Sequence, residues 1–320
     1  MLKHALISVV LLLSLFICAS AQNRSARETL EGLRDIQVLV RYAQVDGLEA
    51  SMQPTILQML QDRARDRLRE AAVPLATGDN VDRSRLVFTV TVNKNSDTAP
   101  AILVESKLYE RVHLLRDPAK QMEVATWVQS GTGGPRVRNE ILFDVFDEQL
   151  KVFIRDYREV NPKPIPVDHR ATASPAPLSA DSTGLQGLKG TRVFVAFRPD
   201  LSADKSHRAE VQKTLQKQAE ARLAQAGIPS LTDETGEPLL YLLITLSPPN
   251  SSAPPIEVES AFWQQVRPDR DLRKQIYAVT WESRGRNGGP IADAAVVEVL
   301  NNQLDEFIKA YKAANLNPGN

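Results

Sequence analysis

Between Ile36 and Tyr42 the apolar side chains fall on alternate positions, Ile36, Val38, Val40 and Tyr42, with Gln37, Leu39 and Arg41 between them. A period of two predicts a strand with one buried face. The spacing then changes to four at Ile56, Leu60, Ala64 and Leu68, which predicts an amphipathic helix that Pro74 stops. Three strand-like runs follow, Leu86 to Val92, Ile102 to His113 and Met122 to Val128, and the short polar or proline-bearing loops between them suit antiparallel hairpins. A second amphipathic helix is predicted from about Asn139 to Tyr157, with Asn139 as its amino-terminal cap and Leu142, Val145, Phe146, Leu150, Phe153 and Tyr157 facing inward.

The same series then occurs again. Leu30-Glu31-Gly32-Leu33 returns as Leu185-Gln186-Gly187-Leu188, and Leu60, Ala64, Arg67, Leu68, Ala71 and Pro74 return 155 positions later. Val104 to Gly131 aligns without gaps on Val258 to Gly285 with 11 of 28 positions identical, where ordinary residue usage gives roughly two. A tandem duplication is therefore the reading of the chain. Its units are residues 30–160 and 185–314, with Asp293 capping the last helix, and a proline-rich linker over 161–184 contains Pro162, Pro164, Pro166, Pro175 and Pro177. The expected fold is α+β: a β-α-β-β-β-α two-layer domain, used twice, with a four-stranded sheet covered by two helices on one face.

The second face of such a sheet has to be explained. Counting by two along the strands places Leu39, Val87, Leu103, Tyr109 and Trp127 on it in the first copy. The second copy places Phe194, Tyr241, Leu243, Trp263, Tyr277, Val279 and Trp281 there. Either the two sheets pack against one another or loops and linker cover them, or the face receives a partner, with Tyr109, Trp127, Tyr241, Trp263, Tyr277 and Trp281 as candidate contacts.

Ahead of the first copy, Lys3 and His4 precede an apolar run from Ala5 to Ile17, and Ala19-Ser20-Ala21 supplies small residues for cleavage. This reads as a signal peptide over residues 1–21 and predicts export, to the periplasm or beyond. No second apolar run is long enough to suggest a membrane span. Cys18 is the one cysteine and is lost on cleavage, so the mature chain is expected to lack disulfides and thiolate chemistry. Lys and Arg number 39 against 39 Asp and Glu, a balance that argues against nucleic acid as a partner. The run from Asp62 to Glu70, which alternates Arg63, Arg65, Arg67 and Arg69 with acids, reads as a solvated helix face.

Catalytic signatures are few. Besides His4 the histidines are His113, His169 and His207, and none recurs at the matching repeat position. Zinc-protease, hydrolase-elbow and nucleotide-loop motifs are missing, and no cofactor or metal is expected. Glycines 131, 133 and 134 with Arg136 and Arg138, and glycines 285, 288 and 289 with Arg284 and Arg286, are placed in strand-to-helix loops; those four arginines are candidate anion-binding residues. Arg116-Asp117 with Lys120-Gln121 and Arg270-Asp271 with Lys274-Gln275 read as turns, while Thr126-Trp127 and Thr280-Trp281 read as packing. Glu105-Ser106 and Glu259-Ser260 are also paired, with no second acid or base identified beside Glu105.

The Leu-x-Gly-Leu start, the valine-alternating strand, the Thr-Trp pair, Phe-Ile-x-x-Tyr and a closing Asn-Pro (Asn161-Pro162, Asn317-Pro318) resemble a group of uncharacterised bacterial exported proteins. That resemblance implies no assigned activity. The element order is also similar to that of the outer-membrane lipopolysaccharide-assembly lipoprotein and of the amino-terminal domain of the Tol-system propeller protein, though no lipobox cysteine is present. The functional expectation is a non-catalytic periplasmic binding or envelope-assembly module whose partner is an envelope protein, peptide or glycan, engaged by sheet surface or by strand addition at a sheet edge. The alternatives are an enzyme acting on an anionic envelope substrate through the glycine-arginine loops, and a closed sandwich that displays nothing.

Overall fold

The computed structural model describes residues 27–45, 48–76, 84–92, 101–133, 138–162, 182–198, 205–231, 238–247, 255–288 and 291–315. The signal segment, most of the linker, His169, Arg136, Gly134, Gly289 and Asn317-Pro318 lie outside these residues.

The chain is α+β. The N-terminal half runs β1 (Gln37–Val45), α1 (Gln53–Glu70), β2 (Arg85–Val92), β3 (Ile102–Leu114), β4 (Asp117–Gly133) and α2 (Asn139–Val160). The C-terminal half runs β5 (Arg192–Phe197), α3 (Lys205–Gln225), β6 (Leu239–Leu246), β7 (Ile256–Pro268), β8 (Ile276–Asn287) and α4 (Asp293–Asn315). In each half the helix-linked strands pair in parallel, as such a crossover requires, and the later pairs are antiparallel hairpins. Asn139 and Asp293 lie just inside their helices, one residue past the caps expected of them.

Two separate four-stranded sheets are not what forms. One mixed eight-stranded sheet runs β1-β2-β3-β4-β8-β7-β6-β5. Its halves join where Ala125 on β4 pairs with Val279 on β8, and where His113 on β3 pairs with Arg267 on β7. Both pairs are separated by the repeat offset of 154, so they mark an approximate two-fold axis between the halves. The two hairpins outgrow their helices and meet at their tips, burying Val112, Leu114, Val124, Val266, Ile276 and Ala278 in a small central cluster.

The main cores lie under the helices. In the N-terminal half Ile56, Leu60, Ala64 and Leu68 of α1 and Leu142, Phe146, Leu150 and Phe153 of α2 pack on Val38, Phe88, Val104 and Leu108. The equivalent C-terminal core contains Leu215, Ala219, Leu300, Leu304 and Phe307 over Val195, Leu242, Val258 and Phe262. The Leu-x-Gly-Leu motif has a mechanical role here. Gly32 and Gly187 hold φ of +71° and +76°, a region open to glycine, and donate their N–H groups to the side chains of Asn161 and Asn315. Those amides donate in turn to Leu30 O and Leu185 O, so the end of each last helix fastens the start of its own half. Asn315, rather than Asn317 of the Asn-Pro pair, is thus the counterpart of Asn161.

Candidate functional site

The helix-free face is set by two β-bulges. Pairing shifts between Leu108 and Tyr109 on β3, leaving Thr126 as the extra residue on β4, and again between Phe262 and Trp263 on β7, leaving Thr280 extra on β8. A bulge changes which face the following side chains take. Trp127 and Trp281 therefore do not lie on the helix-free face, as counting by two had placed them. Trp127 is 1% exposed, stands edge-on to Phe153 and donates its indole N–H to Asp156 at 3.3 Å. Trp281 stands edge-on to Phe307 in the other core. Tyr109, Tyr241, Trp263 and Tyr277 remain on the helix-free face by their register.

The two helix-free faces differ in chemistry. Cross-strand rows in the C-terminal half read Arg192, Leu239, Trp263, Val279, then Phe194, Tyr241, Ala261, Glu282. Equivalent rows in the N-terminal half read Gln37, Arg85, Tyr109, Ala125, then Leu39, Val87, Lys107, Val128. Phe194 is 37% exposed and stacks on Tyr241 with ring centroids 5.8 Å apart. Burial lifts the Tyr241 hydroxyl above its ordinary pKa. The Trp263 indole N–H is buried with no hydrogen-bond partner among the described residues.

Where the halves meet, the two faces touch through charge. Lys107 reaches Glu282 at 2.8 Å, and Arg284 reaches Glu105 at 3.1 Å and Glu259 at 2.9 Å. Glu105 and Glu259 are repeat equivalents, so the fold brings to Glu105 the second carboxylate that the sequence left unidentified, with one guanidinium on both. Burial raises the Glu259 pKa, and Arg284 and Arg198 only partly oppose it. Burial opposes the charge of Lys107, but Glu282, Tyr109 and Glu105 together outweigh it and the Lys107 pKa rises. Face-to-face contact is therefore made at the junction through ion pairs, and Val87, Ala125 and Val279 of the helix-free faces are buried as well.

Among the described residues the glycine-arginine segments are largely strand rather than loop. β4 extends through Gly133 and β8 through Asn287, so Arg284 and Arg286 are strand residues. Arg284 is held by Glu105, Glu257 and Glu259, and Arg286 by Glu257 at 3.1 Å, which leaves neither cation without a carboxylate. Arg138 is exposed just before α2 and Arg136 lies outside the described residues. Gly131 and Gly285 serve packing instead. A Cβ on Gly285 would stand 2.6 Å from the Gln303 amide nitrogen, and one on Gly131 would strike Gln149. Gln149 and Gln303 accept from Ser106 and Ser260 at 3.0 and 3.1 Å in the buried core. The paired Ser, Gly and Gln residues are one device in each half, legible in the sequence only as separate coincidences.

The repeated Arg-Asp turns reach across the molecule. Arg116 donates to Gln264 and to the carbonyls of Gly184 and Gln186 in the other half. Arg270 donates to Glu110 at 2.6 Å and to the carbonyls of Thr29 and Glu31. These are reciprocal clasps with different centres, a carboxylate for Arg270 and an amide for Arg116. Burial without a carboxylate in the clasp pulls the Arg116 pKa down to about 10.

The sheet edges are closed where strand addition would begin. Gln61 on α1 accepts from Val40 N–H and donates to Val38 O, and Gln216 on α3 does the same for Val195 and Val193. A side-chain amide thus stands in for the missing neighbour strand on both outer edges.

His113 lies at the junction, with one ring nitrogen on Pro118 O and the other on Asp269, both at 2.6 Å. Among the described residues no group of three or more His, Cys, Asp or Glu is arranged to hold a metal, and no helix is long and apolar enough to cross a membrane. No protein-family model matches the chain, and a search of curated proteins finds no match.

Proposed function

We propose that the chain is a non-catalytic, exported binding or envelope-assembly module that receives its partner, an envelope protein, peptide or glycan, on the helix-free face of its C-terminal half. The observation that carries this reading is the asymmetry between two faces built on the same register. Where the N-terminal face carries Leu39, Val87 and Lys107, the C-terminal face carries the stacked pair Phe194 and Tyr241 beside Ala261. Stacked rings with Phe194 exposed offer contact area of the kind favoured at recognition surfaces. Surface recognition is favoured over strand addition because Gln61 and Gln216 occupy the edges. The binding reading is favoured over an enzyme acting through the glycine-arginine segments because Arg284 and Arg286, two of its four candidate arginines, rest on carboxylates.

A photoreactive side chain placed at Phe194 in intact cells should give a discrete crosslinked product, whereas one at Met59, exposed on α1, should not. The same pattern from both positions, or none from Phe194, would remove the assignment of this face.

A further inference from the structure

The helix layer holds a second asymmetry, independent of the aromatic face. In each half the two helices lie side by side, and among the described residues the groove between them is bridged by one pair of opposite charges. Between α3 and α4, Arg222 forks onto Asp305 at 2.6 and 2.7 Å. The repeat equivalents of that pair in the N-terminal half are Arg67 and Lys151, so a cation faces a cation where the other half has a salt bridge. The N-terminal bridge lies one helical turn earlier, between Arg63 and Asp147, at the place where the C-terminal half has only the Gln218 to Asn301 hydrogen bond.

Beyond that bridge the groove opens into a cavity of about 620 Å³, within the range of small-molecule sites. Arg67, Lys151, Arg155 and Arg158 line it together with Leu150 and Ile154, and its acids are Glu70 and Asp147. Asp147 is engaged by Arg63. Arg67 and Lys151 each turn to an acid one turn away on their own helix, Glu70 at 3.3 Å and Glu148 at 2.5 Å. Exposed pairs of this kind contribute little and exchange readily. The Glu148 hydrogen bond holds the Lys151 pKa above its ordinary value, and the charge of Arg67 pulls against it. Arg158 makes a long contact, 3.4 Å, to the Ala71 carbonyl at the end of α1.

We propose that the groove between α1 and α2 is a binding site for a phosphate monoester carried on an apolar body, with the phosphate bridging Arg67 and Lys151 and the apolar part lying on Ile154 and the methylene stems of Arg155 and Arg158. A dianion relieves the repulsion of two facing cations, and arginine forks match phosphate oxygens. Ile154 and these aliphatic stems, without an aromatic ring among the lining residues, fit an alkyl or acyl chain better than a base.

Titration calorimetry on the full chain should show one saturable site for monooctyl phosphate, with inorganic phosphate at least about tenfold weaker, a difference of about 1.4 kcal/mol. Lys151→Asp rebuilds the salt bridge of the other half and Arg67→Glu builds one of reversed polarity, and each should weaken octyl phosphate binding about tenfold or more. Asp305→Lys copies the open groove and should add a second site. Two independent closing variants keep the test decisive if one fails to fold, as read by its circular dichroism. Flotation with phosphatidic-acid vesicles that is lost in Lys151→Asp supports the site with a lipid headgroup as source; octyl phosphate binding without flotation supports it with a soluble ester. Inorganic phosphate binding as tightly as the octyl ester removes the apolar body from the proposal. Absence of saturable binding, unaltered binding in a folded closing variant, or a single site in Asp305→Lys overturns it.

Discussion

The N-terminal and C-terminal halves follow the same path of β-α-β-β-β-α, yet at equivalent places they carry different chemistry. Glu110 receives Arg270 in one clasp where Gln264 receives Arg116 in the other. Lys107 stands on one helix-free face where Ala261 stands on the other, and Lys151 faces Arg67 where Asp305 grips Arg222. Features that make the backbone trace possible are shared: the positive-φ glycines, the Ser-Gln-Gly packing and the edge glutamines. What differs lies on surfaces and at the junction. Two copies of one scaffold can therefore hold one architecture while presenting separate faces to solvent and to each other.

The clasps offer the strongest way to break this comparison. Arg270→Ala leaves Glu110, which is 3% exposed, with the Thr126 hydroxyl at 2.6 Å but no cation from the clasp, and should cost about 3–5 kcal/mol, the usual penalty for removing one partner of a buried ion pair. Arg116→Ala leaves an amide and carbonyls, and should cost about 1–2 kcal/mol. Urea unfolding of both variants decides the point, and adding Glu110→Gln to Arg270→Ala should recover part of the loss. Equal costs would show that the two centres are interchangeable.

At the edges the halves should behave alike. Gln61→Ala and Gln216→Ala each remove two hydrogen bonds to an outer strand and should cost about 1–2 kcal/mol. Each should also expose backbone that promotes self-association. Sedimentation velocity reads the second effect; a profile identical to the wild type in both variants would mean that the glutamines do not guard the edges.

The smallest effect is expected at the junction. Glu259→Gln should change stability by about 1 kcal/mol or less at neutral pH, because desolvation of the carboxylate opposes its pairing with Arg284. Since burial raises the folded pKa of Glu259, the native state holds that proton more tightly than the unfolded chain. Its favourable contribution is full below the unfolded value of about 4 and is lost as pH rises through the higher folded value. Wild-type stability relative to the variant should therefore decline with rising pH over that window; a rise would show that Arg284 and Arg198 dominate.

Much of the fold is legible in the sequence because it follows from local period. Val38, Val40 and Ile36 fix β1, and Ile56, Leu60, Ala64 and Leu68 fix the inner face of α1, since strand and helix geometry repeat every 2 and 3.6 residues. The candidate site is less legible. Tyr241 and Trp263 follow from alternation along their strands, while Trp127 and Trp281 do not, because Thr126 and Thr280 interrupt the count. The equal residue types at Thr126-Trp127 and Thr280-Trp281 do signal that whatever happens there happens twice. Arg284 and Arg286 look like loop residues because glycine neighbours suggest a turn, whereas Gly285 is required by the Gln303 side chain packed against it.

The order of elements, the inward stripes of each helix and the recurrence of one pattern were all determined by the amino-acid sequence, because each depends on residues close together in the chain. The tertiary structure decided that two sheets become one, that Arg116 and Arg270 reach into opposite halves, and that Arg67 and Lys151 flank a cavity. Those outcomes depend on which distant segments share a neighbourhood, and periodicity along a strand or helix carries no information about its neighbours in space.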